Sequence, residues 1–170
     1  METFYDVGIE RKKGEALIES LEPYDEWKLR KGEFTPTAVF KTKISEGKKL
    51  YDIVGFQDTS NFAISAKLYE LLNHHHITGW KCYPVSINGI KDTYYGFQVT
   101  GKCGQLEKAL STGFSIGYRF DEFSWDTSDF FSPGNTALLF CTTKVRDLIN
   151  KNKITNIELT DINTVRHFSI

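Results

Sequence analysis

Three consecutive histidines, His74-His75-His76, are the first candidates for chemistry, as metal ligands. Zinc held on a helix takes histidines four positions apart, with further ligands elsewhere. Consecutive helical residues do not face one another. The run therefore reads as the end of a helix, where positive charge suits the helix dipole. Gly101-Lys102-Cys103-Gly104 echoes a phosphate loop, but the phosphate-binding pattern brackets four residues with glycines and follows with Lys and Ser or Thr. Gln105 follows here, so the stretch reads as a turn. Gly113 to Gly117 lacks the third glycine and the following helix of a dinucleotide site. No Gly-x-Ser-x-Gly nucleophile elbow occurs. Cys82 and Cys141 sit in apolar strand-like contexts that make thiols inert, whereas Cys103, in a turn-rich stretch, is the candidate reactive thiol. Only residue type supports pairing it with His167. The expected catalytic, cofactor and metal sets are empty.

Phe120 to Phe131, FDEFSWDTSDFF, is the densest unusual segment. It combines five aromatics with Asp121, Glu122, Asp126 and Asp129, and has no Lys or Arg. Three readings compete. The aromatics form core and the acids are solvated; or aromatic anchors ringed by acids receive a basic protein partner; or two carboxylates act as acid and base. No substrate-binding pattern accompanies the third. If the segment binds a partner, the contacts expected are Asp121, Glu122, Trp125, Asp126, Asp129 and Phe131. Ser132-Pro133-Gly134-Asn135 follows as a turn.

The elements that would position these residues begin with an internal repeat. Phe62–Val85 and Leu139–Ile162 align without a gap, with five identities in 24 positions. Lys67 meets Lys144, Leu71 meets Leu148, Asn73 meets Asn150, and Ile77-Thr78 meets Ile154-Thr155. Ser65 and Thr142 occupy matching N-cap positions. Leu68, Leu71 and Leu72 form an apolar stripe at i, i+3 and i+4, as do Val145, Leu148 and Ile149. Each unit predicts a strand, a short amphipathic helix, a tight Ile-Thr turn and a strand, with both helices packed on one sheet. Asn88-Gly89 predicts a type I′ hairpin pairing Cys82 with Tyr95 and Trp80 with Phe97. That face should be core, and the face of Tyr83 and Val85 half exposed. Residues 1–60 read as short strands and turns, β-rich over Thr37–Ile44 and Tyr51–Phe56. Pro23 argues against one helix over Leu17–Lys31. The fold class expected is α+β: a single domain over 1–170 with a mixed or antiparallel sheet.

Composition narrows the function. Lys and Arg total 21 against 22 Asp and Glu, a net charge of -1 over 170 residues, so no strongly basic field exists for a polyanion. Nucleic acid is disfavoured as a partner. The N-terminus has neither the basic nor the apolar region of a secretory signal. The longest apolar run, Ala137 to Cys141, is far too short to span a bilayer. Three widely spaced cysteines fit reduced thiols. A cytoplasmic location and no membrane partner are expected; the oligomeric state stays open.

Trp125-Asp126-Thr127-Ser128-Asp129-Phe130-Phe131, followed by an apolar strand, Thr-Lys-Val, Leu-Ile and Ile-Thr, resembles the C-terminal signature of a group of bacterial polymorphic-toxin immunity proteins, formerly a domain of unknown function. The first unit is similar to that group's central motif through Ser65, Lys67, Leu71, Leu72, Thr78-Gly79 and Tyr83-Pro84-Val85. The likeness covers residues 50–165. Thr127 stands where the family pattern has Gly, and Asn156 where the second unit would repeat Gly79; Asn tolerates positive φ nearly as Gly does. The resemblance implies a cofactor-free cytoplasmic protein that binds and neutralises a cognate toxin, with motif residues that are structural. A small enzyme with a carboxylate-based site and an oligomerising scaffold module are the alternatives. Converging titratable groups in one cleft would mark the first, and an exposed strand edge the second.

Overall fold

The two repeat units fold alike, as their matching caps and apolar stripes require. The computed structural model describes residues 2–107, 113–134 and 136–169, which leaves Asn135 of the expected turn outside them. In chain order the elements are β1 (Phe4–Gly8), β2 (Leu17–Ser20), α1 (Glu26–Lys31), β3 (Phe40–Glu46), β4 (Ile53–Phe56), β5 (Phe62–Ser65), α2 (Ala66–His74), β6 (Trp80–Ile87), β7 (Tyr94–Val99), β8 (Gly101–Cys103) and β9 (Gly113–Ile116). A 3₁₀ turn (Glu122–Ser124), β10 (Phe130–Pro133), β11 (Phe140–Thr142), α3 (Thr143–Lys151), β12 (Glu158–Asp161) and β13 (Arg166–Ser169) complete them. The α+β class holds, with strand, helix and strand in each unit: β5-α2-β6 and β11-α3-β12.

The expectation of one sheet is corrected. Strands β6-β7-β5-β4-β2 form one curved sheet, which β3 closes into a barrel by pairing with both β2 and β6. Strands β12-β1-β11-β10-β8 form a second, open sheet. The two carry the same registers. Ser65 faces Tyr94 and Tyr83 faces Gly96 in the first; Thr142 faces Phe4 and Thr160 faces Asp6 in the second. The parallel pairs match too: Ile18 with Phe56, and Cys103 with Pro133. β1 therefore corresponds to β7, and β2 to β8. Each repeat begins with a strand that it gives to the other repeat's sheet. β1 lies between β11 and β12, and β7 lies between β5 and β6.

Packing follows this exchange. Leu68 and Leu72 of α2 join Val145, Leu148 and Ile149 of α3 in one core between the sheets, with Phe62, Ile64, Phe97, Phe130 and Cys141. A second core fills the barrel around Ile18, Val54, Phe56, Ala63, Tyr83 and Tyr94. The third holds their counterparts in the open half: Cys103, Phe131, Phe140 and Phe4, with Phe120 and Ile162. Truncating a buried Leu or Phe in such cores costs about 2–5 kcal/mol. The helices also pack alike: Tyr69 of α2 stacks on Tyr95, and Arg146 of α3 lies over Tyr5.

Helix ends obey the local rules. The Ser65 hydroxyl accepts from Leu68 N at 3.2 Å. Thr142 makes no side-chain cap, and the Glu2 carboxylate accepts from Thr143 N instead, at 3.1 Å. Both helices end in left-handed residues, His76 at φ 50° and Lys153 at φ 51°. There Ile77 N donates to Leu72 O, and Ile154 N to Ile149 O. The histidine run thus ends a helix.

Four other expectations are corrected. β6 and β7 pair Cys82 with Phe97 and Trp80 with Val99, two residues from the expected register. Gly89 alone of the Asn-Gly pair takes positive φ, and Ile90 N closes the turn on Ile87 O, so no type I′ turn forms. The Tyr83 face is fully buried rather than half exposed, because it lines the barrel; a Cβ on Gly96 would lie 2.0 Å from Tyr83 Cζ. Gly101–Cys103 is a strand rather than a turn, pairing parallel with β10.

Candidate functional site

The aromatic and acidic segment leaves the core at Phe120, which is buried and bridges to Leu106. Asp121 then accepts from Phe123 N at 3.0 Å and starts the 3₁₀ turn. The Ser124 hydroxyl donates to Asp121 O and accepts from Gly104 N at 2.7 Å. Asp126 accepts from Lys102 N at 2.8 Å and from Ser128 N at 3.0 Å, and Asp126 N donates to Lys102 O at 3.0 Å. The chain turns through Thr127 at φ 66°, a left-handed conformation that costs a β-branched residue dearly. The Trp125 indole N–H donates to Ser128 O at 3.0 Å while its ring meets Phe4 edge-on at 4.9 Å. These bonds fix the tip and push Phe123 outward, with its side chain fully exposed.

The six expected contacts separate accordingly. Asp121, Glu122 and Asp126 are exposed, and Trp125 is half-buried. Phe131 is 0% exposed and packs against Phe4, Phe120 and Phe140, leaving no surface for a partner. Asp129 is buried too. Its carboxylate accepts from Thr78 N at 2.9 Å, Thr78 Oγ1 at 3.2 Å, Thr142 Oγ1 at 3.3 Å and Lys144 Nζ at 3.0 Å. Phe123, which the expected set omits, is the outermost aromatic. Its signal was local: an Asp three residues before a Ser, the mark of a capped turn that presents the Phe between them.

Asp129 has a counterpart 77 residues earlier, the repeat's own offset. Asp52 accepts from Thr155 N and Thr155 Oγ1, both at 2.9 Å, and from Ser65 Oγ at 2.7 Å, with Lys67 Nζ at 3.7 Å. Burial pushes the Asp52 carboxyl up, but the bonds from Ser65 and Thr155 together with Lys67 outweigh it and hold it below the usual value. Each carboxylate ties the cap of one unit to the Ile-Thr turn of the other. These carboxylates are joints between the two repeats.

The thiols offer little chemistry. Burial and Asp126 push Cys103 up to about 12, and burial raises Cys82 and Cys141 as well. All three are free. His167 lies 3.0 Å from Gly117 O and stacks on Tyr118. Among the described residues, no group of three His, Cys, Asp or Glu is arranged to hold a metal.

A cleft of about 280 Å³ opens between the barrel and the open sheet. Asp6 lines one wall and Arg30 another, with Ile53, Phe62, Leu139 and Ile157 between them. Burial, reinforced by Glu158, pushes the Asp6 carboxyl up to about 6 against the pull of Arg30. Burial pulls the Arg30 guanidinium down to about 10, opposed by Asp58 and Asp6. Sequence reasoning missed both residues, because nothing in the spacing of 6 and 30 announces that they meet.

Among the described residues, no helix is long and apolar enough to cross a membrane. No family model matches the chain, and no curated protein matches it.

Proposed function

We propose that this chain is an immunity protein, which binds a cognate bacterial toxin one-to-one in the cytoplasm and neutralises it by occupying its surface. The observation that carries this reading is the Phe123 tip. A fully exposed aromatic stands on a hydrogen-bonded 3₁₀ turn, ringed by the exposed Asp121, Glu122 and Asp126. Rigid aromatic anchors bind at low entropic cost, and surrounding acids steer a basic partner. The resemblance to immunity proteins supports it independently. A preorganised tip suits stoichiometric binding, since little ordering remains to be done on association.

Copurification with the polypeptide encoded beside this one, followed by calorimetry, tests the reading. Tight one-to-one binding with loss of the partner's toxicity is expected. Phe123→Ala should weaken binding at least about tenfold. Glu122→Lys should slow association and reduce its dependence on salt. A folded, monodisperse protein that leaves that partner unbound ends the reading for the pair.

A further inference from the structure

Arg30 is 7% exposed and borders the cleft between the two halves. Its Nε and Nη2 both donate to one backbone oxygen, Ala137 O, at 3.1 and 2.7 Å. That takes one side of the guanidinium fork. Nη1 and the second N–H of Nη2 remain at its end. None of the ion pairs among the described residues includes Arg30, and no hydrogen bond among them engages Nη1. Nor is Nη1 one of the sealed polar atoms that lack a partner, so the end of the fork keeps access to open space.

The two carboxylates whose charge reaches Arg30, Asp58 and Asp6, are turned elsewhere. Asp58 accepts from Tyr24 Oη at 2.6 Å and from Ser60 N and Asn61 N, both at 2.8 Å. Asp6 borders the cleft, but it stands opposite Phe140 in the sheet. Its side chain therefore lies on the Phe4 and Phe140 face, in the third core and not the first. A guanidinium removed from water without a carboxylate is costly to keep, and the end of its fork matches one in two parallel bonds. Two acids nearby disfavour a second negative charge on the same ligand, so the match is a monoanion.

The cleft supplies the rest of the recognition. Ile53, Phe62, Leu139 and Ile157 line it, and all four belong to the first core or pack against it, on one side of the open sheet. At about 280 Å³ the space lies near the low end of ligand pockets, room for a hydrocarbon chain of moderate length. We propose that this cleft binds a medium-chain fatty acid, with its carboxylate on the end of the Arg30 fork and its tail against those walls. Arg30 also borders a second hollow, with Lys31 and Lys102, where an anion would need no tail. The proposal does not rest on the toxin-binding reading, whose residues lie elsewhere.

Calorimetry on the full chain with octanoate as the probe tests it. Saturable one-to-one binding is expected. Acetate, which lacks the tail, and 1-octanol, which lacks the charge, should each bind about tenfold more weakly or worse. Arg30→Met should weaken octanoate by a similar factor while leaving 1-octanol unchanged. Ile157→Trp, a larger side chain at a half-buried wall position, should weaken both. Should Arg30→Met fail to fold, Ile157→Trp and the two comparison ligands decide alone. The proposal is overturned if hexanoate, octanoate and decanoate all fail to bind at about 5 mM. Acetate binding as tightly as octanoate would place the anion in the second hollow, and overturns it. Equal binding of 1-octanol, or octanoate binding indifferent to Ile157→Trp, overturns it as well.

Discussion

Strands β6-β7-β5-β4-β2 and β12-β1-β11-β10-β8 follow the same order in the same registers, yet only the first sheet curls shut. The difference lies in what each repeat places between its second strand and its Asp. The first repeat spends residues 21–52 on α1 and β3, and β3 bridges β2 to β6. Between β8 and Asp129 the second has β9 and the 3₁₀ turn, and among the described residues it supplies no closing strand. Its interior is walled instead by side chains. Phe120 and Trp125 cover Phe4 and Phe131, where the barrel has backbone. Most of the aromatic segment therefore substitutes for a missing strand. Phe123, which covers nothing, is what the substitution leaves exposed.

Breaking the chain between the repeats should have the largest effect. Each repeat lacks its own central strand, so residues 2–90 and 91–170 expressed separately should each stay unfolded by circular dichroism. Mixed, they should assemble one-to-one and regain the native spectrum, because the cut falls in the loop between β6 and β7 beside the exposed Lys91 and Asp92. If either fragment folded alone as a monomer, the strand exchange would not be what holds the halves together.

The exchanged strands offer a sharper comparison at one register position. Gly96→Ala would drive a Cβ into the Tyr83 ring inside the closed barrel, and about 3 kcal/mol or more should be lost. At the equivalent place in the open half, Asp6→Asn should stabilise. The folded-state pKa of Asp6, about 6, is above its ordinary 3.8, so the native state binds the extra proton between those values. Stability from this group therefore falls as pH rises through that window and stays lower at neutral pH. Thermal melts from pH 4 to 7 should show that fall in the parent and a flatter profile in Asp6→Asn.

The two aspartate joints should respond alike and by less. Asp129→Ala strips the acceptor from Thr78 N, Thr142 and Lys144, and Asp52→Ala does the same to Thr155, Ser65 and Lys67. About 2–3 kcal/mol is expected for each, from the buried donors left unpaired. Asp52, held below its usual pKa, adds stability that is present above that usual value and lost as pH falls through the depressed one. Asp52→Asn should accordingly lessen acid sensitivity. A cost confined to one joint would show that the symmetry of contacts is not one of energy.

The repeat was legible because helix caps and apolar stripes are local patterns. Ser65, Leu68 and Leu72 announce their helix within eight residues. The strand exchange was illegible for the opposite reason. β1 corresponds to β7 and β2 to β8, but insertions of different length separate each from the ungapped part, so no single offset aligns them. The hairpin register failed because Asn88-Gly89 suits a two-residue turn, while pairing only resumes at Tyr94 against Val85. Tyr83 looked half exposed because period-two alternation cannot distinguish an open sheet from a barrel, whose inner face is also core. The acids of 121–129 looked equivalent in sequence. Only the fold separates Asp129, bonded inward to the other repeat, from Glu122 on the surface.

Thr127 makes the smallest change and isolates the open half's loop. It sits at φ 66°, exposed, between Asp126, whose carboxylate accepts from Lys102 N, and Ser128, whose carbonyl accepts from the Trp125 indole. No hydrogen bond of its side chain is present among the described residues, so Thr127→Gly loses no contact of that kind. A left-handed β-branched residue carries about 1–3 kcal/mol of strain, and glycine adds up to about 1 kcal/mol of unfolded-state entropy. The balance favours glycine by roughly 1 kcal/mol, or a melting temperature about 2–4 °C higher for a chain of this length. The same exchange at Asn156, also left-handed at φ 64°, should destabilise. Its amide donates to Ile53 O at 3.0 Å and to Glu15 at 2.6 Å, and accepts from Lys12 N at 3.2 Å. Opposite signs at two left-handed residues would show that the side chain's bonds, and not the backbone angle, decide where this fold tolerates a residue other than glycine.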